Sequence, residues 1–189
     1  MKKTDPTNLV KCPGCKAAFP HMENPIALHP YGVMSPECWA SFMNILAFES
    51  EHMGYPPEHR LIVDACAVQH PQNFELQKKL GIEKRLVTAS IQSVGRHLIG
   101  LYCALEMHIP LLSISKIMGY VIEHGQPLEL LEPPAELGKM TTADFSADFT
   151  PEQYKQFAWN WAHSSWKAWE PYHETVRGWV NKYALHGGK

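Results

Sequence analysis

Two cysteines separated by a proline and a glycine, Cys12-Pro13-Gly14-Cys15, are the first residues here whose types and spacing specify chemistry. Two intervening residues let both sulfurs face one ion, while proline and glycine shape a tight turn that aims backbone amides at the thiolates. Such a pair supplies half of the four ligands that a closed tetrahedral zinc site needs. Cys38 is the natural third. It follows Ser35-Pro36-Glu37, where a capping serine, a proline and an acid signal a helix start, and a helix N-terminus favours a thiolate. The fourth ligand follows from counting. If the helices flanking Tyr55 form a short-looped antiparallel pair, residues equally far from that loop meet. Cys38 lies 17 positions before Tyr55 and His70 lies 15 after it. The expected set is therefore Cys12, Cys15, Cys38 and His70, with His21, His29 and Cys66 competing for the fourth place. Four protein ligands leave no open coordination position, so the zinc is expected to be structural. The other reading of a Cys-x-x-Cys pair is a redox dithiol. Thioredoxin-type pairs sit near a strand and a helix start, and Lys16-Ala17-Ala18-Phe19-Pro20 offers neither.

A second group is acid–base in character. Asp64 and His97 fall in the middle of apolar helical segments, with His59 and His173 on segments expected to pack nearby. A buried Asp–His hydrogen bond would orient an imidazole, as in a general base or behind a metal ligand. Asp64, His97 and His173 are thus the catalytic candidates, against the plainer reading of a satisfied polar pair in a helical core. His59 and His70 are 11 residues apart, about 16 Å along one helix, so they cannot share an ion. Nothing assembles a nucleophile, a base and oxyanion donors.

The elements that would carry these residues are helices. Residues 1–35 read as irregular, with five prolines from Pro6 to Pro30. Helices are expected over Pro36 to Met53 and Pro57 to Gln69, with a short one over Phe74–Leu80. A buried central helix is expected from Lys84 to Met107, and another from Pro110 to His124. Residues 126–142 read as a loop. Thr150-Pro151-Glu152 opens a tryptophan-rich helical region that Pro171 should kink or split. There, Trp161, Trp169, Tyr172, Val176 and Trp179 share one side. Trp159 and Trp166 point elsewhere and could line a groove, and His163, Glu170 and Arg177 make the solvated face. No run alternates as a strand should.

Composition agrees with an ordinary globular protein: 189 residues, 45% hydrophobic and 19% charged. This fits one domain over 1–189, an all-α compact helical bundle at 36–186 with an irregular zinc-anchored segment at 1–35. A net charge of −2 without a basic stripe argues against nucleic-acid binding. The most apolar stretch, Leu98 to Ile122, is broken by Glu106, His108, Pro110 and Lys116, so no membrane span is expected. Met1 to Val10 lacks the apolar core of a signal peptide. The expected setting is a reducing cytoplasm, where five cysteines serve as thiols or ligands.

Several segments together carry a resemblance. They are Cys12-Pro13-Gly14-Cys15, Tyr31 to Trp39 (YGVMSPECW), His59 to Pro71 (HRLIVDACAVQHP), Gln92 to Leu98, Leu131-Glu132-Pro133-Pro134, and Trp166-Lys167-Ala168-Trp169 with His173. The chain resembles an uncharacterised family of bacterial proteins designated a domain of unknown function. The likeness spans nearly the whole sequence and implies the fold and the metal site, with no activity to carry over. It also implies a tyrosine where this chain has Cys66, which counts against Cys66 as a ligand. Phe74 to Lys84 looks longer than the family pattern. The function expected is a zinc-binding helical interaction module. The alternatives are a small-molecule enzyme built on the Asp64–His97 group and a thiol redox protein.

Overall fold

The computed structural model describes residues 8–24, 33–71, 84–125 and 127–184. The short helix expected over Phe74–Leu80 lies outside them, as does His29. Among the described residues six α-helices carry the architecture. They are α1 (Pro36–His52), α2 (His59–Gln69), α3 (Lys84–Leu105), α4 (Leu111–His124), α5 (Pro151–Ala168) and α6 (His173–Trp179). A 3-10 turn at Thr142–Asp144 precedes α5, another at Glu170–Tyr172 separates α5 from α6, and a π-turn spans Val180–Ala184. No helix among the described residues is long and apolar enough to cross a membrane.

The N-terminal segment is not wholly irregular. Leu9–Lys11 (β1) and Ala18–Pro20 (β2) pair antiparallel, with Val10 opposite Phe19. Three residues per strand are too few for alternation to show in the sequence, and such a ribbon is not stable alone. The turn between the strands is fixed by Cys12 N donating to Ala17 O at 2.8 Å and Lys16 N donating to Cys12 O at 3.1 Å. Lys16 closes it with a left-handed backbone (φ 65°).

Helix starts follow local signals. Ser35 Oγ accepts from Cys38 N at 3.2 Å with Pro36 behind it, and Thr150 forms a reciprocal box with Gln153 ahead of α5. Pro171 splits the last helical region as expected. In α1 the buried stripe is Cys38, Phe42, Ile45, Phe48 and Glu49, and in α5 it is Tyr154, Phe157, Ala158, Trp161, Ala162, Ser165 and Trp166. Trp166 was expected to point away from the core; it is buried, and its indole donates to Glu106 at 2.9 Å. His163, Glu170 and Arg177 are exposed.

Helix α2 lies deep in the bundle beside the long α3. It packs chiefly on α5 and α3 and buries Leu61, Ile62, Asp64, Ala65, Cys66, Val68 and Gln69 around most of its circumference. The C-terminal half of α3 is sealed from Leu98 to Leu105, whereas Ile91 to Val94 and His97 are only half-buried. Helices α2 and α3 approach closely at Gly100. A β-carbon there would sit 2.4 Å from Asp64 Oδ2 and 2.8 Å from Arg60 Nη2. Helix propensity alone favours alanine over glycine by up to about 1 kcal/mol. Gly100→Ala should nevertheless lower the unfolding free energy by about 1–3 kcal/mol in urea denaturation, because α3 must back away from α2. A gain in stability would show that the two helices separate without cost.

Residues 127–141 run without regular structure, yet they lie against the core. Such a loop needs partners for its backbone groups, and glutamines supply them. Gln92 donates to Leu128 O and accepts from Leu128 N, both at 2.8 Å. Gln69 donates to Leu137 O at 3.0 Å and Met140 O at 2.6 Å.

Candidate metal centre

The turn between β1 and β2, the segment leading into α1, and the end of α2 converge on one point. Cys12 and Cys15 come from the turn, Cys38 from the first turn of α1, and His70 from the residue that caps α2. All four are buried, and their ligand atoms lie within 4.8 Å of one another. Cys15 Sγ is 3.8 Å from Cys38 Sγ, and His70 Nε2 is 3.3 Å from Cys38 Sγ. Cys38 and His70 meet across the helix pair at Tyr55, as the counting argument requires.

The turn is pressed against the end of α2. A β-carbon on Gly14 would lie 2.4 Å from Val33 O, 2.5 Å from His70 Cδ2 and 3.0 Å from Gln69 O. Val33 N in turn donates to His70 O at 3.2 Å. Glycine is required here for close approach rather than for its backbone angles.

Groups outside the cluster orient those within it. His70 Nδ1 donates to the Cys66 carbonyl at 2.6 Å, which fixes the ring so that Nε2 faces the sulfurs. The Cys66 thiol lies 3.6 Å from His70 Nδ1, on the far side of the ring from the cluster. Cys66 therefore backs the histidine with its carbonyl and stands outside the cluster. His21 is half-exposed and sits 3.4 Å from Glu37 Oε1. The hydroxyl of Thr142, buried in the 3-10 turn, is 3.6 Å from Cys38 Sγ, while its carbonyl accepts from Ser41 Oγ at 3.0 Å. No pattern in the sequence pointed to Thr142, which is 104 positions from Cys38.

Electrostatics express the crowding. Hydrogen bonds from Cys15 and Cys38 pull the Cys12 thiol far below its ordinary range, while the same proximity to Cys12 and Cys15 pushes Cys38 far above it. Three sulfurs so placed cannot all ionise unaided, and a bound dication would supply the missing compensation.

The second group of candidates is only partly assembled. His97 Nδ1 donates to Asp64 Oδ1 at 2.6 Å, and Arg60 Nε donates to Asp64 Oδ2 at 2.8 Å. Arg60 was not singled out from the sequence, although its i, i+4 spacing to Asp64 was a usable signal. His173 lies elsewhere: its Nε2 donates to Trp166 O at 3.0 Å and its ring lies flat on Trp166 at 3.8 Å. His59 joins a third network, donating to the buried Glu49 at 2.6 Å, which also accepts from the Tyr154 hydroxyl. Burial and the bond to Glu49 push the Tyr154 hydroxyl well above its usual range.

No curated protein and no solved structure matches this chain. The segments that carry the cluster and the Asp64–His97 pair all fall within residues 10–170. Over that span the sequence matches a family model, and the chain belongs to the family of unknown function DUF5946.

Proposed function

We propose that Cys12, Cys15, Cys38 and His70 hold one structural zinc ion, and that the protein acts by binding rather than by chemistry at the metal. The observation that carries this reading is the fully buried set of three sulfurs and one imidazole, with the imidazole's second nitrogen already committed to the Cys66 carbonyl. A tetrahedral ion with bonds of about 2.3 Å to sulfur places neighbouring sulfurs about 3.8 Å apart. Cys15 and Cys38 stand at that separation, 3.8 Å. Three thiolates and one imidazole suit zinc, and four protein ligands leave no position for a substrate or an activated water. Burial of Cys12 (0% exposed) and Cys15 (7%) is the opposite of what a reactive dithiol needs. None of the five cysteines is in a disulfide, as suits ligands and thiols in a reducing cytoplasm.

The test is metal content by mass spectrometry on protein purified without a histidine tag. One zinc per chain is expected, lost in Cys12→Ser and weakened in His70→Ala. Absence of bound metal, or retention of a full equivalent in both variants, would overturn the assignment. Thr142→Val gives a finer check. Removing a donor to a ligating sulfur should weaken zinc affinity by about 10–100-fold in a chelator competition, with the far-UV circular dichroism spectrum unchanged.

A further inference from the structure

A cavity of about 150 Å³ opens between α1, α2 and α3, beside the metal centre. Its walls are mostly hydrocarbon: Trp39 and Phe42 from α1, Val63 and Ala67 from α2, and Val94 from α3. Two polar residues of α3 join them, Ser93 and His97, one helical turn apart. His70 also reaches the wall, but both of its ring nitrogens are engaged, one by Cys66 O and the other toward the sulfur cluster. His97 differs. Its Nδ1 is committed to the fully buried Asp64, which Arg60 holds from the other side. Its Nε2 has no hydrogen-bond partner among the described residues, and 21% of its side-chain surface is exposed.

We infer that this cavity is a binding site for a small single-ring aromatic molecule bearing one hydroxyl group, a simple phenol, whose O–H donates to His97 Nε2. The volume matches that class, since an engineered apolar cavity of about 150 Å³ admits benzene. With Nδ1–H donating to Asp64, a neutral ring carries its lone pair on Nε2, so the site offers an acceptor and calls for a donor. Arg60, Asp64 and the close approach at Gly100 fix the ring before any ligand arrives, which keeps the ordering cost of binding low. A mostly apolar wall with one pre-oriented polar atom is the usual makeup of a small-molecule site. This names a ligand for the binding role proposed above and rests on that role, but it does not depend on the identity of the metal.

The experiment titrates the full chain with p-cresol and, separately, with toluene, which has the same shape but lacks the hydroxyl. Ligand-observed NMR gives the affinities, and the ¹⁵N resonances of the histidine rings report the site. One p-cresol per chain should bind about tenfold more tightly than toluene, the worth of one hydrogen bond. The His97 Nε2 resonance should shift. His97→Phe should erase the preference for p-cresol, and Val94→Trp should abolish binding of both by filling the cavity. If either variant fails to fold, the wild-type comparison of the two ligands and the His97 resonance still decide. Equal affinity for toluene, a response at another histidine in place of His97, or no saturable binding of p-cresol would each overturn the proposal. Metal content is measured on the same samples. One zinc per chain without p-cresol binding sinks the ligand site alone, whereas His97-dependent binding in a metal-free chain sinks the zinc assignment alone.

Discussion

Stripping the metal from the zinc-loaded protein with a tight chelator should detach residues 8–24 from the helical body, as should Cys38→Ser. Most of that segment's residues are exposed. Its strands contribute three residues each, and Leu9 is 55% exposed. Beyond the cysteines, its inward contacts include the buried Phe19, Gly14 pressed against Val33 and His70, His21 3.4 Å from Glu37 Oε1, and the bond from Met22 N to Glu37 Oε1 at 3.2 Å. Structural zinc in comparable Cys/His sites is worth on the order of 10 kcal/mol. For a chain of this size, losing even half of that lowers the melting midpoint by about 10–20 °C. Alkylation mapping gives the local readout. After chelation Cys12, Cys15 and Cys38 should react with iodoacetamide. Cys103, fully buried in α3 with its thiol pushed up to about 11 by burial, should stay silent as an internal control. An unchanged midpoint together with an unchanged alkylation map would mean that the segment is held by packing alone.

The clustering of Cys12, Cys15, Cys38 and His70 was legible because its signals are local or follow from simple geometry. Cys12-Pro13-Gly14-Cys15 and Ser35-Pro36-Glu37-Cys38 each fit within one turn of chain, and His70 follows from the antiparallel pairing about Tyr55. The helices were legible for the same reason, since proline, serine and threonine mark their starts and a 3.6-residue stripe marks their buried faces. The parts that were not legible depend on contacts distant in sequence. Thr142 reaches Cys38 through a 3-10 turn that nothing near position 38 announces. The β1–β2 ribbon was missed because its strands are too short to alternate. The loop expected over 126–142 does run without regular structure over 127–141, but the partners of its backbone, Gln69 and Gln92, look like ordinary surface polar residues in the sequence.

Trp161→Ala should be among the most damaging substitutions in the chain, and its effect should reach the metal centre. The indole is fully buried in α5, and its Nε1 donates to Gln69 Oε1 at 2.8 Å. Gln69, itself fully buried, spends its amide hydrogens on Leu137 O and Met140 O. One side chain therefore joins α5, the end of α2 and the loop ahead of Thr142, immediately before His70 of the cluster. Truncation to alanine removes the packed ring, at about 3–5 kcal/mol, and leaves the Gln69 carbonyl without its donor, at about 1–3 kcal/mol more. Trp161→Phe separates the two effects. It keeps most of the ring volume and removes the donor, so it should cost closer to the smaller figure in urea denaturation. If the hydrogen-bonded chain from Trp161 through Gln69 steadies His70, Trp161→Phe should also weaken zinc in chelator competition although no ligand has changed. Wild-type zinc affinity in Trp161→Phe, with stability lowered as expected, would confine Trp161 to the core and leave the positioning of His70 to Cys66 and Val33.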